Sequence, residues 1–245
     1  MESPKYRFLY IFPHPDDESF GPAPVIHQQL KAGHEVFLLT LTRGGATRQR
    51  FALNKTIEEM GEIRYQEMLV VEKTLGLTGM TVLDLPDSGM QEMDPREIEN
   101  VVKEHILNIR PDIIVSYPVH GNSGFHDHLV MHAVIKRVYL EMKDEGDDFV
   151  KRLAFITLPD KPDKPVFLDD DTFRIRQSPD ELIDCIVKLQ KDDIEMMKKT
   201  LACYSTYKDV IDKSGVVDKV GDKVYFEFYG EDFTPPVGDV VDELS

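Results

Sequence analysis

The sequence predicts an α/β fold: a doubly wound, mostly parallel sheet with helices on both faces. Three observations carry this. Apolar runs such as "YRFLYIF" are unbroken, as in strands buried on both sides. These runs alternate with amphipathic stretches of helical length. The most polar segments follow directly on strand-like runs, where open α/β sheets bind ligands.

The elements follow in order. Tyr6–Phe12 is the first strand, and a helix is expected from about Ser19 to Gly33. Glu35–Thr42 is the second strand. Thr56–Gly76 reads as a long helix, with Met60, Ile63, Met68, Val71 and Leu75 roughly on one side and Gly76 suited to the position just past its end. Thr81–Asp87 is the third strand. Asp94, Pro95 and Glu97 supply the cap, first-turn proline and early acid of a helix that ends at Pro111. Asp112–Pro118 is strand four, followed by a helix over about Asp127–Lys143 and a strand over Arg152–Pro159. The proline-rich stretch Asp160–Asp171 reads as a loop. "SPDE" (Ser178–Glu181) reads as a capping box that opens a helix running to about Tyr204. Lys223–Tyr229 is expected as an edge strand, and the tail over 231–245 as loosely ordered. With no repeat and no low-complexity tract, residues 1–245 read as one domain.

Composition narrows the partners. The chain has 245 residues and a formal net charge of -16, a field that repels phosphate backbones and anionic lipid. No nucleic acid and no membrane insertion are expected. No basic, apolar leader opens the sequence, so a cytoplasmic location is the expectation. The two cysteines, Cys185 and Cys203, lie far apart and read as reduced structural thiols.

Four polar segments fall at strand ends: "PHPDDE", "TRGG", "PDSG" and "HGNSGFHDH". Dinucleotide binding is excluded, because residues 13–18 contain no glycine where G-x-G-x-x-G requires it. A P-loop and a G-x-S-x-G nucleophile elbow are also absent. In "HPDDE", His14 and Asp17 are spaced so that one ion can be reached by both, while Asp16 projects differently and can face a water. Acids also favour a helix N-terminus without any metal. Crowding three of them is nonetheless costly unless a cation is near. "FHDHLVMH" adds His126, Asp127, His128 and His132, and one imidazole from it completes a two-His, one-carboxylate hydrolytic site. His128 and His132 are also spaced as a possible pair, although His132 reads better as a core residue. His27, His34 and His105 read as structural.

"PHPDDE", "TLTRGG", "GEIRYQEMLVVEKTLG", "LPDSG" and the His-Asp-His segment, in that order, resemble the PIG-L/LmbE family. The likeness is strongest over about residues 6–140. It implies a Rossmann-like fold and a zinc-dependent N-deacetylase acting on an N-acetylglucosamine derivative, with Fe2+ or another divalent ion as a possible native metal. It implies His14, Asp17 and His128 as metal ligands and Asp16 as general base. Asp127 would orient an imidazole such as His126, and Arg64 and Asp87 would contact the sugar. Arg43 would line the same site. The alternative for Arg64 is an intrahelical pair with Glu67 or packing on the methionine side of its helix. Relatives commonly self-associate, so a homo-oligomer is possible.

Two departures stand out. The family's usual His-Pro-Asp-His reads Phe125-His126-Asp127-His128 here, so Phe125 occupies the place of an oxyanion-stabilising histidine. Either His126 or His120 is expected to replace it, or the enzyme relies on zinc alone. Near the C-terminus, "CYSTY" puts Tyr204 where relatives carry the histidine of a His-x-x-Gln element. The alternatives are a metallohydrolase of another amide or ester, and a member that binds metal or sugar with impaired catalysis.

Overall fold

The computed structural model describes residues 4–160, 167–168 and 173–244. Its parallel strands are β1 (Arg7–Phe12), β2 (Glu35–Thr42), β3 (Gly79–Leu85), β4 (Ile113–Ser116) and β5 (Arg152–Thr157). A short pair, β6 (Phe167–Leu168) and β7 (Phe173–Arg174), stands apart. β8 (Cys185–Lys188) and β9 (Lys223–Phe228) complete the main sheet, whose order is β3-β2-β1-β4-β5-β9-β8. The first five strands are parallel and the last two antiparallel.

The helices are α1 (Ala23–Lys31), α2 (Gln49–Ala52), α3 (Ile57–Leu75), α4 (Pro95–Ile109), α5 (His126–Asp144), α6 (Lys191–Ala202), α7 (Lys208–Ser214) and α8 (Val216–Val220). α3 starts where Thr56 accepts the Glu59 amide and Glu59 accepts the Thr56 amide, and it ends at left-handed Gly76. No helix among the described residues is long and apolar enough to cross a membrane.

Strand β1 shows why the sheet is covered twice. Side chains alternate across it. Phe8, Tyr10 and Phe12 enter one core with Val25 and Ile26 of α1 and Met68, Val71 and Leu75 of α3. Leu9 and Ile11 enter the other with Ile98, Val102 and Ile106 of α4 and Met131, Ile135 and Val138 of α5. Each fully buried side chain of this kind stabilises by about 1.5–3 kcal/mol.

Four expectations need correction. The first helix begins at Ala23, because residues 13–22 are spent in turns. Ser178–Tyr204 is not one helix. After a 3-10 turn at Asp180–Leu182 comes β8, and α6 starts only at Lys191 with Gln190 and Asp193 as its cap. Ile183, Cys185, Val187 and Leu189 are all buried at a spacing of two, which is strand periodicity. The Ser178 hydroxyl instead joins His120, Thr157 and Glu227.

Strand β9 is not the edge, since β8 pairs outside it. The tail is packed as well: Val240 is fully buried, and buried Arg152 donates to Glu231 and to the carbonyls of Val240 and Asp242. The loop read at Asp160–Asp171 lies outside the described residues, apart from Asp160 and β6.

β1 sits between β2 and β4, and the chain winds away from it in both directions. This is a topological switch point, where a crevice opens beyond the carboxyl ends of the strands. The segments after β1 and β4 therefore face each other.

Candidate metal centre and active site

Beyond β1 the chain turns sharply. Asp16 sits at φ 83, a left-handed conformation that aspartate tolerates better than most residues. That turn separates neighbouring acids. Asp17 folds back, its Oδ2 accepting the His14 amide at 2.9 Å, while its Oδ1 accepts the Tyr117 hydroxyl at 2.7 Å. Asp16 points elsewhere and accepts from Nη2 of Arg64 at 2.7 Å. The same Nη2 lies 2.7 Å from the Pro15 carbonyl.

The glycines of "TRGG" make room for this. A Cβ on Gly44, at φ +65, would lie 2.7 Å from Arg64 Nε and 2.9 Å from Pro15 Cδ, and one on Gly45 would lie 2.2 Å from the Ile57 carbonyl oxygen.

Three donors converge from the β1 and β4 tips. His14 Nδ1 is 3.3 Å from His128 Nε2 and 3.7 Å from Asp17 Oδ2, and His128 Nε2 is 3.5 Å from Asp17 Oδ1. An ion bound tetrahedrally at about 2.0–2.2 Å sets its ligands roughly 3.3–3.6 Å apart, so the spacing fits. The tautomers fit as well. His128 Nδ1 lies 2.9 Å from the Gly121 carbonyl, an acceptor only, so Nδ1 carries the proton and Nε2 presents its lone pair. His14 Nε2 lies 3.0 Å from Asp127 Oδ2 and 3.3 Å from Asp87 Oδ1, so its proton points there.

With a carboxylate beside the two facing ring nitrogens, a positive charge at this point is favoured, whether a proton on His14 or a bound cation. Burial opposes the charged form of His14, yet hydrogen bonds to Asp127 and Asp87 and the charge of Asp17 outweigh it and lift its pKa to about 10. Burial and the neighbouring His14 push His128 down to about 3, the neutral state a ligand needs. Burial pushes the Asp16 carboxyl above the usual carboxylate range, against the opposing pull of Arg64.

The remaining expected residues divide. Asp127 does orient an imidazole, but it is His14 rather than His126, and backbone amides of Ser88 and Met90 fix it at 2.8 and 3.2 Å. Asp87 faces inward, accepting the Ala46 amide at 2.6 Å. Arg64 is 1% exposed and pairs with Asp16, whereas Glu67 bonds Ser205 and Thr206. No Arg64–Glu67 pair forms. Arg43 turns away to Glu62 and the ring of Tyr65.

Neither expected replacement for the oxyanion histidine stands at the centre as a donor. His126 is exposed on the first turn of α5. His120 accepts the Asn122 amide at Nδ1, so its Nε2 proton is committed to Ser178 at 3.0 Å. Burial lowers it to about 4. Phe125 is 55% exposed, its ring edge-to-face with His128 at 5.7 Å. His132 bonds the Tyr117 carbonyl and packs on Phe155, a structural role.

Sequence reasoning missed Tyr117, whose ring stacks on His128 at 4.3 Å while its hydroxyl holds Asp17. Its place at the end of "DIIVSYP" was the available signal. It also missed Tyr207, whose ring lies 3.9 Å from the Arg64 guanidinium. That contact joins segments far apart in sequence, and no local pattern announces it.

Over 145 residues the chain is 31% identical to the probable N-acetyl-α-D-glucosaminyl L-malate deacetylase 2 of Bacillus subtilis (strain 168), covering 58% of this chain and 64% of the relative. It is 28% identical over 142 residues to the N-acetylglucosaminyl-phosphatidylinositol de-N-acetylase of Bos taurus, covering 56% and 52%. The chain thus spans less than two thirds of the length of these relatives. Among solved structures, N,N'-diacetylchitobiose deacetylase from Pyrococcus horikoshii superposes with TM-score 0.66 at 17% identity, covering 91% of this chain and 83% of that one. GalB, the 4-carboxy-2-hydroxymuconate hydratase of Pseudomonas putida KT2440, superposes with TM-score 0.67 at 12% identity, covering 93% and 98%. At such identities the likeness shows the fold alone, and the fold hosts more than one reaction. Residues 9–139, more than half of the sequence and including every donor described above, match the family model PIG-L, GlcNAc-PI de-N-acetylase, and the chain belongs to that family.

Proposed function

We propose that this chain is a divalent-metal-dependent N-deacetylase of a small 2-acetamido sugar derivative. The observation that carries the reading is the triangle of His14, Asp17 and His128 donors, 3.3–3.7 Å apart, with the separately held carboxylate of Asp16 beside it. The names of its relatives share an N-acetylglucosaminyl group, which supports the substrate class.

His14, Asp17 and His128 would hold the metal, zinc or another divalent ion such as Fe2+. When bound, it supplies Lewis-acid polarisation of the amide carbonyl and acidifies water. The chain's own residues do the rest. Asp16 takes a proton from the attacking water and delivers it to the nitrogen of the departing amine, so that acetate and a free amine result. Arg64 fixes the orientation of that carboxylate and keeps Oδ2 occupied, leaving Oδ1 for the proton. Asp127 and Asp87 hold the Nε2 proton of His14, and the Gly121 carbonyl holds the Nδ1 proton of His128, so both rings keep their ligand nitrogens inward.

Purified protein is expected to contain a divalent metal by elemental analysis and to release free amine from N-acetylglucosamine derivatives. A chelator is expected to abolish that release, and restored metal to return it. Protein replete with metal but inert toward every N-acetyl sugar would instead favour the impaired-member reading.

Phe125 makes a further expectation. Its ring already sits against His128, so an imidazole there would border the metal ligands and could donate to a carbonyl bound at them. An oxyanion donor is typically worth 10²–10³ in rate, and an unoptimised one less. Phe125→His is expected to raise kcat by about tenfold. An unchanged or lower kcat shows that this chain does not lack a donor at that position.

A further inference from the structure

Arg64 holds the base, yet its own guanidinium is thinly supported by hydrogen bonds. Its guanidinium is 1% exposed, and two of its nitrogens, Nε and Nη1, are buried without a hydrogen-bond partner. Only Nη2 is satisfied, by Asp16 and the Pro15 carbonyl. A buried cation in that condition is costly unless something else compensates it.

The compensation comes from the C-terminal part of the chain, outside the residues that match the family model. The guanidinium carbon lies 3.9 Å from the ring centroid of Tyr207 and 5.7 Å from that of Tyr204. The Gly44 backbone also comes close, since a Cβ added there would lie 2.7 Å from Nε. The cation is therefore packed against both a glycine and an aromatic face.

Both rings are themselves tied down. Glu67, one turn along α3 from Arg64 and on the same helix face, accepts three hydrogen bonds from Ser205 and Thr206, at 2.8–2.9 Å. The Tyr204 hydroxyl donates to Glu18 at 2.8 Å, and the Tyr207 hydroxyl pairs with Thr47 at 2.6 Å. One helix thus carries both the arginine that reaches Asp16 and the acid that anchors the segment covering that arginine.

We propose that Tyr207 is a positioning residue for the base: its ring face, anchored through Glu67 and Thr47, holds the Arg64 guanidinium where Nη2 reaches Asp16. The catalytic consequence rests on the deacetylase reading, while the clamp itself does not.

Tyr207→Leu removes the aromatic face. It is expected to lower kcat about tenfold, within the range of a desolvated cation–π contact, with KM within about twofold and metal content unchanged. Tyr207→Phe keeps the ring and loses only the Thr47 contact, and it is expected to restore kcat to within about twofold of the parent. In an Arg64→Met background, Tyr207→Leu is expected to cost little more, because the cation is already gone.

A readout independent of turnover is the Arg64 Nε–H resonance by NMR. It is expected to be shifted upfield by the ring in the parent and in Tyr207→Phe, and to move back in Tyr207→Leu. If the leucine variant does not fold, Tyr207→Met is judged by the same criteria. Parental kcat in the leucine variant, or an equal loss in the phenylalanine variant, overturns the proposal. So does an Arg64 resonance indifferent to the ring. A parent inactive on all N-acetyl sugars sinks the deacetylase reading alone, and the resonance still decides the clamp.

Discussion

Asp16→Asn is expected to retain a full complement of metal while kcat falls by about 10³-fold or more. The substitution suits the site unusually well. Asp16 stands at φ 83, and asparagine is among the few residues at ease there, so the turn is preserved. The amide oxygen can still accept from Arg64 Nη2, so the guanidinium keeps both of its acceptors. None of the three converging donors belongs to residue 16. Only the ability to take up a proton is lost. Turnover and elemental analysis on the same preparation check this, and near-parental kcat removes Asp16 as the base.

That separation of duties between adjacent acids was partly legible in the sequence. The spacing of His14 and Asp17, and the arrival of His128 after another strand, follow from local pattern and strand-end topology. So does the core, because Leu9, Ile11 and their neighbours alternate across a strand that is apolar throughout. Other features were not legible, for physical reasons. Cys185–Lys188 is four residues long and lies between a genuine "SPDE" turn signal and a genuine helix, so helical reading ran through it. The tail looked polar by composition, yet distant residues pack it: Arg152 holds the carbonyls of Val240 and Asp242, the backbone of Val237 pairs with Asp184 and Ile186, and Val240 is buried in the core. Arg64 was expected at the sugar, and its pairing with Asp16 was not foreseen, because burial of a long side chain is decided by what folds over it. Here that cover is Tyr204 and Tyr207, more than a hundred residues away in the chain.

His128→Gln is expected to lose both metal and turnover, which distinguishes a ligand from the base. Glutamine is close in volume and can still donate toward the Gly121 carbonyl, so the start of α5 keeps a side-chain contact there. It cannot also present a nitrogen lone pair at the position of Nε2, 3.3 Å from His14 and 3.5 Å from Asp17. A two-donor remnant holds a divalent ion weakly, and the carboxylates of Asp17, Asp87 and Asp127 then fall back on the proton of His14 for their positive charge. Loss of stacking on Tyr117 also lowers stability, so the measurement needs a control that spares the centre. His132→Gln supplies it, since that ring bonds only the Tyr117 carbonyl and packs on Phe155. Elemental analysis is expected to find metal in the His132 variant and in Asp16→Asn but not in His128→Gln. Stoichiometric, tightly held metal in the last of these would show that the ion, if there is one, sits elsewhere.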